Sequence, residues 1–129
     1  MVLDASVLVG FLLDRPGAAR VADVLANDDV AAPHLVDAEV AQVIRRYTAR
    51  GDVTDGDGAA MLDDFLDLSL VRYSHAPLLR RAYELRHNAT IYDALYLALA
   101  EGLGCPLLTA DQSLAALPGC HAAVEVLIG

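Results

Sequence analysis

The sequence has no lysine and no tryptophan, and only two cysteines and two methionines. Nine arginines are therefore its whole basic complement, against 18 acidic residues and a formal charge of −9. A chain this acidic does not hold a polyanion by general electrostatics, so any contact with nucleic acid has to be local. Cys105 and Cys120 form no CxxC or Cys/His spacing. Small and apolar neighbours surround both, which fits a reducing compartment and buried thiols that pack as small hydrophobes. Apolar runs are too short and too interrupted to span a bilayer. The opening MVLDASVLVGFLL has no basic leader, and Asp4 interrupts it. It reads as a buried strand entering a helix, not as a signal peptide. A cytoplasmic protein with no membrane role is the expectation.

What is present is hydrophobic: 56% of 129 residues. That composition opposes disorder and suits a single domain over residues 1–129 with a core of its own. Repeats and low-complexity tracts are missing. The pattern predicts strands at 1–5, 29–32 (ended by Pro33), 70–73, 106–109 and 124–128. Helical periods fall at 6–13, 17–26, 34–50 (stopped by Gly51), 55–68, from Pro77 to His87, 91–102, and briefly at 111–117. Such alternation predicts an α/β fold, a short parallel sheet with helices on both faces. Functional groups in sheets of this kind gather beyond the carboxyl ends of the strands.

Four acids interrupt apolar stretches. Asp4 ends the first strand, and Asp111 follows Leu107-Leu108-Thr109-Ala110. Asp93 is the only early charge in Ile91-Tyr92-Asp93-Ala94-Leu95-Tyr96-Leu97. Glu39 lies in the 34–50 helix. On a helical wheel Leu35, Val36, Val40, Val43, Ile44 and Tyr47 make one stripe that includes Glu39, whereas Asp37 falls at or beyond its opposite edge. Each acid also has a local explanation. Asp4 and Asp111 suit helix caps, Thr90-x-x-Asp93 resembles a capping box, and Glu39 has the option of an Arg partner. Asp4 and Asp111 nevertheless end neighbouring strands on one edge, and Asp93 can face the same edge.

Clustered carboxylates repel. At about 4 Å two of them cost roughly 4 kcal/mol at an effective dielectric near 20. They must take up protons or hold a cation, and an oxygen-only ligand set favours Mg²⁺ or Mn²⁺. Ser6 and Thr109, two residues from Asp4 and Asp111, are placed to orient a carboxylate or a bound water. By contrast Asp52, Asp55, Asp57, Asp63, Asp64 and Asp67 read as a solvated face. His34, His75, His87 and His121 have no metal-ligand spacing and read as structural or surface residues.

Taken in order, Val-Leu-Asp4-Ala-Ser6, Glu39 on the third helix, Tyr92-Asp93-Ala-Leu-Tyr-Leu-Ala-Leu-Ala and Leu-Leu-Thr109-Ala-Asp111 resemble the PIN domain family, and its VapC-type toxins most of all. The resemblance covers essentially the whole chain. It implies a three-layer α/β/α fold and a Mg²⁺- or Mn²⁺-dependent endoribonuclease, the toxin of a toxin–antitoxin pair. The matching metal and catalytic acids are Asp4, Glu39, Asp93 and Asp111, with Ser6 and Thr109 at its hydroxyl positions. Implied partners are a structured RNA substrate such as transfer or ribosomal RNA, a VapB-type antitoxin that obstructs the site, and a second copy in a homodimer. Arg45, Arg46, Arg50, Arg80, Arg81 and Arg86 are the candidate phosphate contacts. Haloacid-dehalogenase-like phosphotransferases need Asp-x-Asp where Ser6 stands, and they and response-regulator receivers need a Lys. The remaining alternative is a PIN-like scaffold that binds a partner protein or RNA without cutting it. Apolar residues around Val7, Leu8, Phe11 and Leu12, and around Met61, Leu62, Phe65 and Leu66, suit either the core or a dimer interface.

Overall fold

Val2 and Leu3 form a strand of only two residues, because the next residue already caps a helix. In the computed structural model, which describes residues 1–127, the Asp4 side chain accepts a hydrogen bond from the backbone N–H of Val7. This ends β1 (Val2–Leu3) and starts α1 (Ala5–Leu12). The sequence pattern had carried the strand to residue 5. A cap at Asp4 satisfies one of the orphan donors of the first helical turn, and that outweighs the β-propensity of the run.

The chain continues through α2 (Ala18–Asn27), β2 (Val30–Pro33), α3 (Leu35–Ala49), α4 (Asp55–Leu66), β3 (Leu70–Tyr73), α5 (Ala76–Glu84), α6 (Ile91–Leu103), β4 (Leu107–Thr109) and β5 (Val124–Val126). Further element boundaries differ from the sequence expectation. Pro33 closes β2 from inside the strand, opposite Tyr73. The helix opened by Pro77 ends at Glu84 instead of His87, and turns follow. The expected helix at 111–117 is a 3₁₀ turn over Gln112–Leu114, capped by Asp111. The last strand stops at Val126; residue 128 of its expected range lies outside the described residues. Gly104 takes a left-handed conformation (φ 64°) to end α6.

The sheet is parallel throughout, in the order β3-β2-β1-β4-β5. Helices α1 to α4 pack together on one side and the α5–α6 pair on the other, which gives three layers. Val2, Leu3, Leu107 and Leu108 are fully buried at the centre. Burial of each such side chain stabilises the fold by about 1.5–3 kcal/mol. Helix α6 is buried from Ala94 to Ala100, as expected of a helix apolar on nearly all sides. Val7, Leu8, Met61 and Phe65 belong to this core, while Leu66 is exposed. Other large exposed apolar side chains lie on α5 and at the start of α6: Leu79, Tyr83, Ile91 and Tyr92.

Ion pairs tie the layers down, two of them bidentate (Arg20 and Arg81) and one bifurcated from Arg72 Nε. Arg20 on α2 grips Glu125 on β5, Arg72 on β3 grips Asp37 on α3, and Arg81 on α5 grips Glu101 on α6. Asp37 thus faces out of the α3 stripe, as the wheel predicts. The six clustered Asp residues from Asp52 to Asp67 are all exposed.

Candidate active site

Strand order reverses between β1 and β4: from β1 the chain goes to β2 on one side, and it returns to β4 on the other. In an open parallel sheet this switch point leaves a crevice at the carboxyl ends of the strands. A cavity of about 430 Å³ opens there. Asp4, Glu39, Asp93 and Asp111 all line it, although they come from four separate segments of the chain. Ser6 lines it as well, and Thr109 lies fully buried behind it.

Asp4 is the deepest of the four acids, only 8% exposed. Register makes its environment: Leu3 pairs with Leu108, so Asp4 stands beside Thr109. The Thr109 hydroxyl donates to Asp4 Oδ2, and the Ser6 hydroxyl donates to Oδ1 at 2.5 Å. The same two oxygens also accept. Ser6 Oγ takes the N–H of Ala110 at 3.1 Å, and Thr109 Oγ1 takes the N–H of Asp111 at 3.0 Å. Each hydroxyl therefore ties Asp4 to the loop carrying Asp111. Burial still outweighs these donors, and the Asp4 carboxyl is raised above its ordinary value.

Glu39 projects from the apolar stripe of α3 toward α6. Its partner is not an Arg but the hydroxyl of Tyr96, which donates to Oε1 at 2.6 Å. Tyr96 is 2% exposed, and this contact lets its phenol be buried without an unsatisfied group. Burial raises the Glu39 carboxyl, the Tyr96 hydrogen bond lowers it, and the charges of Asp93 and Asp4 raise it further. Asp93 sits in the first turn of α6, where Thr90 Oγ1 accepts its backbone N–H. Its carboxyl is raised first by burial, then by repulsion from Asp111 and Asp4. Asp111 caps the 3₁₀ turn by accepting from the N–H and hydroxyl of Ser113.

The cluster is thus three carboxyls that resist ionisation together with a fourth at the rim. Among the described residues no three His, Cys, Asp or Glu side chains are grouped closely enough to hold a metal ion as they stand. Hydroxyl donors hold Asp4 and Glu39 where they stand. The donor set consists of oxygen atoms alone and carries excess negative charge, which is the chemistry that a hard divalent cation fits.

Of the six candidate phosphate arginines only Arg46 lines this cavity. Arg81 is committed to Glu101 and Glu84, Arg50 pairs with Asp52, and Arg86 stacks on Tyr83. Tyr96 was not legible as a site residue, because its position also fits the apolar surface of a buried helix. The one available signal was a phenol on the apolar surface of a buried helix, which needs a partner from elsewhere in the chain. Gln42 and Tyr92 on the cavity wall were likewise missed. His75 is structural: its Nε2 accepts the N–H of Leu35 at the start of α3.

Comparison with known proteins agrees with this architecture. The PIN domain family profile matches residues 1–119. Ribonuclease VapC12 of Mycobacterium tuberculosis is 41% identical over 127 residues, covering 98% of each chain. Ribonuclease VapC1 of the same organism is 40% identical over 128 residues, covering 98% of this chain and 96% of its own. Among solved structures, VapBC2 of Rickettsia felis, bound to a DNA fragment from its promoter, superposes with a TM-score of 0.73 at 17% identity and 98% coverage of both chains, a likeness of fold. A parallel sheet with its crevice at the β1–β4 switch point, a profile match over nearly the whole chain and two relatives at 40% identity or above converge: the chain belongs to the PIN domain family, in its VapC-type group.

Proposed function

We propose that the chain is a Mg²⁺- or Mn²⁺-dependent endoribonuclease, the toxin component of a VapBC-type toxin–antitoxin system. The observation that carries this reading is the convergence of Asp4, Glu39, Asp93 and Asp111 on one cavity. The relatives named as ribonucleases support the substrate class. The solved VapBC complex supports a VapB-type antitoxin as partner.

In this reading Asp4, Glu39 and Asp93 hold the cation and Asp111 supports it. A divalent ion bound there supplies positive charge to the scissile phosphate and makes water a competent nucleophile near neutral pH. The chain's own groups do the rest. Ser6 and Thr109 fix the rotamer of Asp4, and Tyr96 fixes Glu39. Among the described residues no Cys or His lines the cavity, and the one Ser that does donates a hydrogen bond to Asp4. The reading takes water as the nucleophile. The exposed apolar side chains of Leu79, Tyr83 and Ile91 support a homodimer, and a cytoplasmic location follows from the toxin role.

The test is cleavage of RNA by purified protein with Mg²⁺ or Mn²⁺. Asp4→Asn and Asp93→Asn are expected to lose at least about 100-fold in rate with an unchanged circular dichroism spectrum. A wild-type rate in either variant means the cation sits elsewhere. Calorimetric titration with Mn²⁺ separates the scaffold reading, which predicts no binding at millimolar metal.

A further inference from the structure

Two side chains of the cavity wall take no part in the carboxylate cluster, yet both are conspicuous there. Tyr92 is 61% exposed and makes no hydrogen bond among the described residues. Its backbone lies in the first turn of α6, beside the Thr90 cap. The ring is thus carried on a fixed element at the lip of the cavity. Arg46 is the only cation on the wall among the described residues. It follows Glu39 by seven residues on α3, which places it on the same helical face about 10 Å further along. Arg20, Arg50, Arg72 and Arg81 are each held by a carboxylate; Arg46 forms no ion pair among the described residues.

A net charge of −9 and a single wall cation leave little electrostatic attraction for a phosphate chain. A contact that does not depend on charge would add the affinity that this balance withholds. Stacking of a base on an aromatic side chain is such a contact, and it tolerates any base because every base has a π-face. We propose that Tyr92 is the stacking platform for a nucleobase beside the scissile phosphate, and that Arg46 takes a neighbouring phosphate from the α3 side. The proposal rests on the ribonuclease reading above and adds the source of substrate affinity.

The experiment uses the full chain and a short single-stranded RNA that it cuts, with Mg²⁺ present. Tyr92→Ala is expected to raise KM by about 5- to 150-fold with little change in kcat, and Tyr92→Phe to keep the wild-type KM. Abasic nucleotides are then placed one at a time on either side of the cut. At one position the abasic RNA should cost the wild type the same factor and cost Tyr92→Ala nothing further. Arg46→Gln should flatten the dependence of log(1/KM) on log[salt], whose wild-type slope for one phosphate contact is about −0.7. Additive losses at every position, an unchanged KM in Tyr92→Ala, an equal loss in Tyr92→Phe, or a changed oligomeric state in place of a changed KM overturns the stacking role. If the wild type cuts RNA and any of these is seen, the ribonuclease reading stands. If the wild type cuts no RNA with either cation, both readings fall.

Discussion

Replacing Asp93 with Asn separates the charge of the site from its shape. Asp93 contributes a favourable charge to the N-terminal turn of α6, worth about 0.3–1 kcal/mol. Against this stand partial burial and repulsion from Asp111 and Asp4, and the carboxyl is raised, so the unfavourable side wins. The sign follows: a raised carboxyl weakens the fold as pH climbs through its ordinary value and then through its folded value, because the folded state disfavours the anion. Without divalent cation, Asp93→Asn should therefore be more stable than wild type at pH 7, and the gap should close near pH 4. Asp93 is only half-buried, and solvent screens the repulsion, so the gain is about 1 kcal/mol. For a chain of this size that is about 3–5 °C in Tm. Divalent cation should invert the order. Mn²⁺ at about a hundred times its Kd stabilises the wild type by about 2.7 kcal/mol. The variant, short of one ligand, should gain little. The assay is a thermal melt at pH 4 and pH 7, with EDTA and with millimolar Mn²⁺. A wild-type Tm indifferent to Mn²⁺, or an equal rise in the variant, refutes the cation site. A variant less stable than wild type at pH 7 in EDTA refutes the electrostatic account.

Tyr96→Phe removes the hydroxyl that holds Glu39 and otherwise preserves the packing of α6. Mn²⁺ affinity should fall about 10- to 100-fold, and the pH of half-maximal uptake should move up, because Glu39 loses a bond that favours its anion; unchanged affinity by calorimetry would show that Glu39 needs no such support. The Arg81–Glu101 pair acts on stability alone. Glu101 is pushed down to about 2 by Arg81, so its contribution is fully present above its ordinary value of 4.5 and is lost as pH falls through about 2. Arg81→Ala should cost about 2 kcal/mol at pH 7, discounted for the partial exposure of Arg81, with the gap narrowing over that acid window in denaturant titrations; a gap independent of pH counts against the pair. The cavity should also accept a guanidinium in place of a cation. An antitoxin whose tail carries Arg should lose inhibition when that Arg becomes Ala, and inhibition of RNA cleavage left intact would place the block elsewhere.

Much of the fold was open to local reading, because its punctuation is local. Thr54 and Thr90 cap α4 and α6, Pro77 opens α5, and Gly104 closes α6 with a positive φ. The wheel separated Glu39 from Asp37 because one helix face packs inward and the other meets Arg72 across the edge of the sheet. What stayed hidden depended on distance along the chain. Tyr96 and Glu39 are 57 residues apart, and Thr109 and Asp4 are 105 apart; no periodicity announces such partners. The status of each Arg was hidden for the same reason, since Arg46 and Arg81 look alike until Glu101 engages one and not the other.

Capping and site roles coincide in these acids. Asp4 caps α1, Asp111 caps the 3₁₀ turn, and Asp93 lies in the capped first turn of α6. Helix starts placed just beyond strand ends present N–H donors and positive dipole ends to one crevice, so carboxylates are tolerated there before any cation is considered. The consequence is testable in the Asn series. Asn caps a helix about as well as Asp, and the hydroxyls of Ser6 and Thr109 can rotate to accept from an amide as readily as they donate to a carboxylate. Asp4→Asn and Asp111→Asn should therefore stay within about 1 kcal/mol of wild type in EDTA. Glu39 caps nothing; among the described residues its hold is Tyr96. Glu39→Gln keeps an acceptor for that hydroxyl and also removes a charge, so it should be neutral or stabilising in EDTA, yet as damaging to Mn²⁺ binding as the Asp variants. Should the Asp variants unfold in EDTA while Glu39→Gln does not, the caps need the full carboxylate charge, and site and scaffold cannot be separated by these substitutions.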